Sequence, residues 1–192
     1  MIGARVMPRY STGAQDGGPY PIALFAVLVT VAMLFSAFTA ALLVRRTGTD
    51  WSPIAWPPLV WANTGVILLS SWALERARAA ARANALRDIS LWLAGAAALG
   101  LLFLAGQLVL WRALAARGVF LASGPHASFV YLLSAVHGVH VLGGIGALAW
   151  TFGRARTGAY TAVRHAGITH TAIYWHFVGV VWLWVFVLLS TL

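Results

Sequence analysis

The chain has 192 residues, of which 61% are hydrophobic and only 9% are charged, and its net charge is +9. So few charges exclude a soluble globular domain, whose surface carries far more, and favour a bundle of membrane helices. The chain has no cysteine, so disulfides and thiolate metal sites are excluded. The positive charge does not indicate nucleic-acid binding, because the arginines fall between apolar runs rather than along one exposed face.

Five apolar runs follow one another along the chain, each long enough to supply the roughly 20 residues of a membrane-spanning helix. Residues 1–18 are polar and rich in turn formers, which predicts an N-terminal tail rather than a signal peptide. Residues 19–192 predict a single all-α, polytopic membrane domain. Its predicted spans are 20–44, 57–76, 90–114, 126–152 and 169–192.

The arginines predict the orientation of this bundle. Nine lie in the tail and in the loops 75–89 and 153–168, on one side of the membrane; they are Arg5, Arg9, Arg76, Arg78, Arg82, Arg87, Arg154, Arg156 and Arg164. Four lie on the other side: Arg45, Arg46, Arg112 and Arg117. The positive-inside rule then predicts a cytoplasmic N-terminus and an outside C-terminus, with loop arginines anchored at anionic lipid head groups. Loop 75–89 also has high helix propensity, which predicts an extension of the second helix into the cytoplasm.

The four acidic residues lie away from the middle of every predicted span; they are Asp16, Asp50, Glu75 and Asp88. Proton relays and ion-coupled transporters usually need a carboxylate at depth. The sequence therefore disfavours a transporter driven by protons or sodium.

Three histidines lie inside predicted spans, where polar groups are costly. His137 and His140 share one face of the fourth span, and His176 lies in the fifth. Imidazole is a common ligand of zinc, copper and haem iron, so these three residues are candidates for a metal or haem site of an electron-transfer protein. The alternative is that they form hydrogen bonds between helices, since no acid is available to orient them as metal ligands.

Small residues beside these histidines predict a close approach of the fourth helix to a neighbour. They are Gly138, Gly143 and Gly144.

Four segments resemble subunit III of haem-copper terminal oxidases (cytochrome c or quinol oxidases). "HGVHVLGG" (137–144) and "YWHFVGVVWLWVF" (174–186) resemble the two signature stretches of that family. "NTGVILLSS" (63–71) and "LGLLFLAGQ" (99–107) resemble further family segments, in the same order. The likeness covers 63–192, and the five predicted spans resemble the short bacterial form of the family.

The resemblance implies a non-catalytic subunit of a respiratory complex in the bacterial plasma (inner) membrane. That complex reduces oxygen to water and couples the reaction to proton translocation. The haems and copper are then expected in the partner subunits, with no cofactor, metal or catalytic residue in this chain. The implied partners are subunit I, subunit II and phospholipids. The residues implied to hold the bundle together are Asn63, Gln107, His137, Gly138, His140, Gly143, Gly144, Tyr174, Trp175, His176 and Trp182.

The sequence departs from the family pattern at acidic positions. Gly179 stands where the last motif usually has Asp, Leu110 where Glu commonly follows the third-helix Gln, and Val31 at the equivalent of a first-span acid. These departures put a direct proton-handling role in doubt. They leave open a subunit-III-like accessory protein of nitric oxide reductase as an alternative.

Overall fold

The computed structural model describes residues 20–161 and 165–191, and that part of the chain folds into helices without any strand. The helices are α1 (Tyr20–Arg45), α2 (Leu59–Arg82), α3 (Leu86–Ala115), α4 (Pro125–Arg156) and α5 (Ala166–Thr191). This confirms the all-α prediction. The predicted tail 1–18, with Arg5 and Arg9, and the loop residue Arg164 lie outside the described residues.

Four of the five helices, α1, α3, α4 and α5, are long and apolar enough to cross a membrane. Helix α2 is less apolar because it carries polar residues along its length, among them Asn63, Thr64 and Ser70. These three side chains are buried against neighbouring helices rather than exposed. Helix α2 contacts both α3 and α5, which are long and apolar enough to cross a membrane. That α2 itself crosses the bilayer remains a prediction.

The predicted loop 75–89 is almost entirely helical. Helix α2 continues to Arg82 and α3 begins at Leu86, which leaves a turn of three residues between them. In that turn Asn84 has a φ of 55°, in the left-handed region that asparagine tolerates better than most residues. The alanine- and arginine-rich sequence explains the extension, because both residue types have high helix propensity.

Helices α2, α3, α4 and α5 form a closed ring in which each contacts the next and α5 contacts α2. Successive helices are antiparallel: Ser70 near the middle of α2 meets Ala96 near the start of α3, while Asn63 meets Phe103 further along. Helix α1 lies outside the ring, against α4 and α5. The membrane domain is therefore a four-helix bundle with one added peripheral helix.

Two clusters of buried side chains hold this arrangement together. The larger fills the ring and includes Phe103, Trp175 and Trp182. The smaller joins α1 to α4 and α5 through residues such as Phe35 and Leu133. The ring thus has a core independent of α1, and the motif residues lie in or beside it.

Candidate functional site

Helices α2 and α3 meet at a side-chain amide. Asn63 donates a hydrogen bond from Nδ2 to the carbonyl oxygen of Phe103 at 3.2 Å. A Cβ atom placed on Gly106 would lie only 2.1 Å from Oδ1 of Asn63, so this contact requires glycine on α3. The family resemblance predicted a packing role for Asn63. The need for glycine at 106 could not be predicted, because it depends on how α2 lies against α3.

The last signature stretch ties α5 to α2 through its tryptophan. Trp182 donates from Nε1 to Oγ1 of Thr64 at 3.0 Å, and both residues are buried. One face of the same indole lies beside His137, with ring centroids 5.2 Å apart, and Phe103 approaches the indole edge-on at 5.0 Å. Trp182 therefore contacts three other helices of the ring: α2, α3 and α4.

His137 lies at the centre of the core and is fully buried. The ring of Phe103 lies 5.8 Å away and that of Phe35 on α1 lies 6.4 Å away, both edge-on. Neither imidazole nitrogen has a hydrogen-bond partner in the part of the chain that the structure describes. The hydrogen bond between helices expected of this residue is absent there, because aromatic rings occupy the neighbouring positions.

His140 is partly buried and bonds within its own helix. Its Nδ1 lies 2.7 Å from the carbonyl oxygen of Val136, one turn earlier on α4. The link between helices at this level comes from the backbone of His140, whose carbonyl oxygen accepts a 3.0 Å hydrogen bond from the hydroxyl of Tyr174 on α5. The motif residue that joins these helices here is thus Tyr174 rather than the imidazole.

Trp175 fills a space made by two glycines. A Cβ atom on Gly100 of α3 would lie 2.6 Å from its ring, and one on Gly144 of α4 would lie 2.8 Å from it. At Gly143 and Gly138 the nearest atoms would be 3.5 Å and 3.7 Å away, which is ordinary contact. The predicted close approach therefore occurs at Gly144 rather than at Gly143 or Gly138, and what approaches is an indole ring rather than a helix backbone.

His176 pairs with an acid at the start of the predicted loop 75–89, which the structure places within α2. Its Nε2 lies 2.7 Å from Oε1 of Glu75, and the same oxygen accepts a hydrogen bond from Arg78 at 2.7 Å. Ser71, one turn before Glu75 on α2, is the neighbour of Gly179, one turn after His176 on α5. The α2–α5 seam therefore has a carboxylate, supplied by α2 rather than by position 179.

The contacts of a further histidine, His126, were not predicted from the sequence. Nδ1 of His126 accepts a hydrogen bond from the backbone N–H of Ile54 at 3.0 Å, and its Nε2 lies 3.1 Å from the carbonyl oxygen of Leu189. The ring of Trp51 lies 5.0 Å away. This buried histidine joins the α1–α2 loop to the start of α4 and the end of α5. A single His in the first turn of a helix does not predict such a role.

The three candidate ligands do not form a coordination site in the described residues. His176 is bound to Glu75, His140 bonds to its own helix, and His137 is enclosed by aromatic rings. Within the described ranges, no group of three or more His, Cys, Asp or Glu side chains is arranged to hold a metal ion. The contacts that these three side chains make are contacts of helix packing.

A cleft of about 870 Å³ opens between α1 and α4. Its walls are mostly apolar, and an ion pair between Arg45 and Asp50 lies at one end. The hydrogen bond from Arg45 holds the pKa of the Asp50 carboxyl below its ordinary value, so this carboxylate is charged at neutral pH. The cleft thus combines an apolar groove with a charged end. Its lining residues include Ala40, Ala41, Val44, Pro125, Ser128 and Phe129.

Comparisons with known proteins agree with the motif geometry. The profile of the family described as "Cytochrome c oxidase subunit III" matches residues 7–191. The chain is 32% identical to "Cytochrome c oxidase subunit 3" of Synechocystis sp., over 94% of this chain and 78% of the relative. It is 31% identical to the protein of the same name from Thermostichus vulcanus, over 89% of this chain and 86% of that one. It is 27% identical to "Cytochrome bo(3) ubiquinol oxidase subunit 3" of Pseudomonas aeruginosa, over 90% and 84%.

Proposed function

The chain belongs to the cytochrome c oxidase subunit III family of haem-copper oxidases, and from this membership we propose that it is a non-catalytic subunit of a respiratory oxidase. The complex reduces oxygen to water and couples that reaction to proton translocation across a bacterial plasma membrane. The haems and copper belong to the partner subunits. Relatives of the chain carry the names of both cytochrome c and quinol oxidases, and the proposal holds for either electron donor.

The use of the intramembrane histidines supports the non-catalytic role. A haem or copper ligand needs an imidazole nitrogen that points into space open to the metal. Here His176 is engaged by Glu75, the Nδ1 of His140 by a helix carbonyl, and His137 is packed among rings. The family match over residues 7–191 is the observation that carries the proposal, and the packing contacts of the three imidazoles agree with it.

The peripheral helix α1 supports a role in packing against other subunits. It lies outside the ring, and large apolar side chains such as Ile22, Phe25 and Met33 are more than two-thirds exposed. Apolar surface of this kind suits lipid or the helices of another membrane protein. We propose that part of the exposed surface of the chain packs against subunit I, with subunit II as a further partner, and that lipid covers the remainder.

The cleft between α1 and α4 supports phospholipid binding. A phospholipid needs apolar walls for its acyl chain and polar groups for its head group. Apolar side chains of both helices line the groove, and the pair Arg45–Asp50 offers both signs of charge at its end. We assign this cleft to a phospholipid of the complex.

Affinity purification from the native membrane tests the proposed function. The tagged chain, extracted in a mild detergent, should retrieve a larger membrane subunit whose sequence identifies it as subunit I. A matched preparation tagged on an unrelated membrane protein controls for carry-over. Recovery of the chain alone, or with a protein unrelated to oxidases, would contradict the proposal.

A further inference from the structure

Two buried side chains in the ring core each have two polar atoms without a hydrogen-bond partner. They are Gln107 on α3, 4% exposed, and His137 on α4, 0% exposed. Within the described residues, Oε1 and Nε2 of the amide and both ring nitrogens of the imidazole are unpaired. Buried polar groups in proteins are nearly always hydrogen-bonded, so four such atoms on two residues indicate a missing partner.

The two side chains lie at the same level of one seam. Trp111, one turn after Gln107, bonds to Ser134, which lies one turn before His137. Phe103, one turn before Gln107, lies with its ring against that of His137. Because α3 and α4 are antiparallel, these two contacts place Gln107 and His137 on opposite sides of the same section of the α3–α4 seam.

A direct bond between the two side chains would not satisfy them. It would use one ring nitrogen and one amide atom and leave the other two atoms unpaired. The surrounding groups offer no replacement, because Phe103 has no polar side-chain atom and the N–H of Trp182 is already donated to Thr64. The missing partner must therefore both donate and accept hydrogen bonds.

The charge of the surroundings limits what that partner is. The buried polar side chains among the described residues are amides, hydroxyls and histidines, without a buried Asp, Glu, Lys or Arg. A neutral imidazole and an amide each provide donors and acceptors, which matches a small neutral molecule with two of each. Buried water typically makes about three hydrogen bonds to groups that would otherwise be unsatisfied.

We propose that the core holds an internal water molecule bound between Gln107 and His137. The amide and one imidazole nitrogen coordinate it, and a second water completes the site where the other nitrogen faces away from the first. The site is closed along the seam by the rings of Phe103 and Trp182. It fixes the side-chain conformation of His137 without a direct hydrogen bond between α3 and α4 at this level.

Solid-state NMR of the full chain, isotope-labelled and reconstituted in lipid bilayers, tests the proposal. Magnetisation from water protons should reach the imidazole of His137 and the side-chain amide of Gln107. It should not reach Leu93 or Leu148, which are fully buried elsewhere in the ring core and serve as internal controls.

Variants then locate the water. Gln107→Leu removes the amide that holds the bridging water and should clearly reduce the transfer to His137, whereas Trp111→Phe, which removes a hydrogen bond one turn away, should leave it unchanged. Absence of transfer in the wild-type chain, a direct hydrogen bond between the two side chains without water, or full transfer in Gln107→Leu would each overturn the proposal. If Gln107→Leu fails to fold, the wild-type measurement alone decides.

Discussion

The indole ring of Trp175 packs so closely on Gly144 that a Cβ atom on the glycine would lie 2.8 Å from ring atom Cε3. Gly146, on the same helix, has no atom within 4 Å of its Cβ position apart from its chain neighbours and the adjacent backbone of its own helix. The two glycines therefore form a matched pair, one required by packing and the other free of it.

Gly144→Ala should destabilise the bundle, while Gly146→Ala should not. Overpacking of a tight core costs about 1–3 kcal/mol, and the rigid indole has little freedom to move. Helix propensity favours alanine over glycine by about 1 kcal/mol, which offsets part of the cost at 144 and stabilises the 146 variant. Unfolding of both variants in mixed micelles, followed by tryptophan fluorescence, measures the difference. Equal stability of the two variants would show that the Trp175 contact is not tight.

The pair of Glu75 and His176 should show a small favourable coupling energy. Their side chains are 42% and 35% exposed, so screening reduces the interaction to about 0.2–1 kcal/mol. A double-mutant cycle with Glu75→Ala and His176→Ala measures it through the free energy of unfolding. In the control cycle, Asp88→Ala takes the place of Glu75→Ala and should show no coupling with His176→Ala. Asp88 is an exposed acid in the first turn of α3. Equal coupling in both cycles would contradict the contact.

Asp50 should titrate below its ordinary pKa of 3.8, because Arg45 donates a hydrogen bond to its carboxylate. A lowered pKa in the folded state means that the ion pair is present above the ordinary value and is lost as the pH falls through the lower one. Carboxyl carbon shifts of Asp50 followed by NMR should therefore titrate with a midpoint below 3.8. Arg45→Gln should raise the pKa, and Arg46→Gln should not. An unchanged pKa in Arg45→Gln would show that the pair does not form.

The sequence predicted the helices well and the contacts between them only in part. Apolar runs gave the number and order of the helices because the helical period and span length are local properties. The pairing of Glu75 with His176 joins residues 101 positions apart, so it depends on how α2 lies against α5. The sequence predicted a close approach at Gly144 because it is a small residue beside the intramembrane histidines. It did not show that the approaching side chain is Trp175. His126 carried no such signal, since its partners come from a loop and from the end of another helix.

The chain should not conduct protons along titrating side chains of its own. His137 is enclosed by aromatic rings, His140 bonds to its own helix, and Glu75 lies in the α2–α5 seam. An internal water between Gln107 and His137 would be an isolated site. Complexes with His137→Gln, His140→Gln or His176→Gln that assemble should pump with near-normal stoichiometry, measured as protons released per oxygen reduced. An assembled His137→Gln complex that reduces oxygen without pumping would contradict this.

The location of the haem and copper distinguishes a packing subunit from an electron-transfer protein. The complex purified through this chain is dissociated, and haem and metal are measured in the separated subunits by absorption spectroscopy and elemental analysis. We expect haem and copper in the partner subunits and neither in this chain. About equimolar haem or metal remaining with this chain, in a site that is lost in His137→Gln, His140→Gln or His176→Gln, would contradict it and make the chain itself an electron-transfer protein.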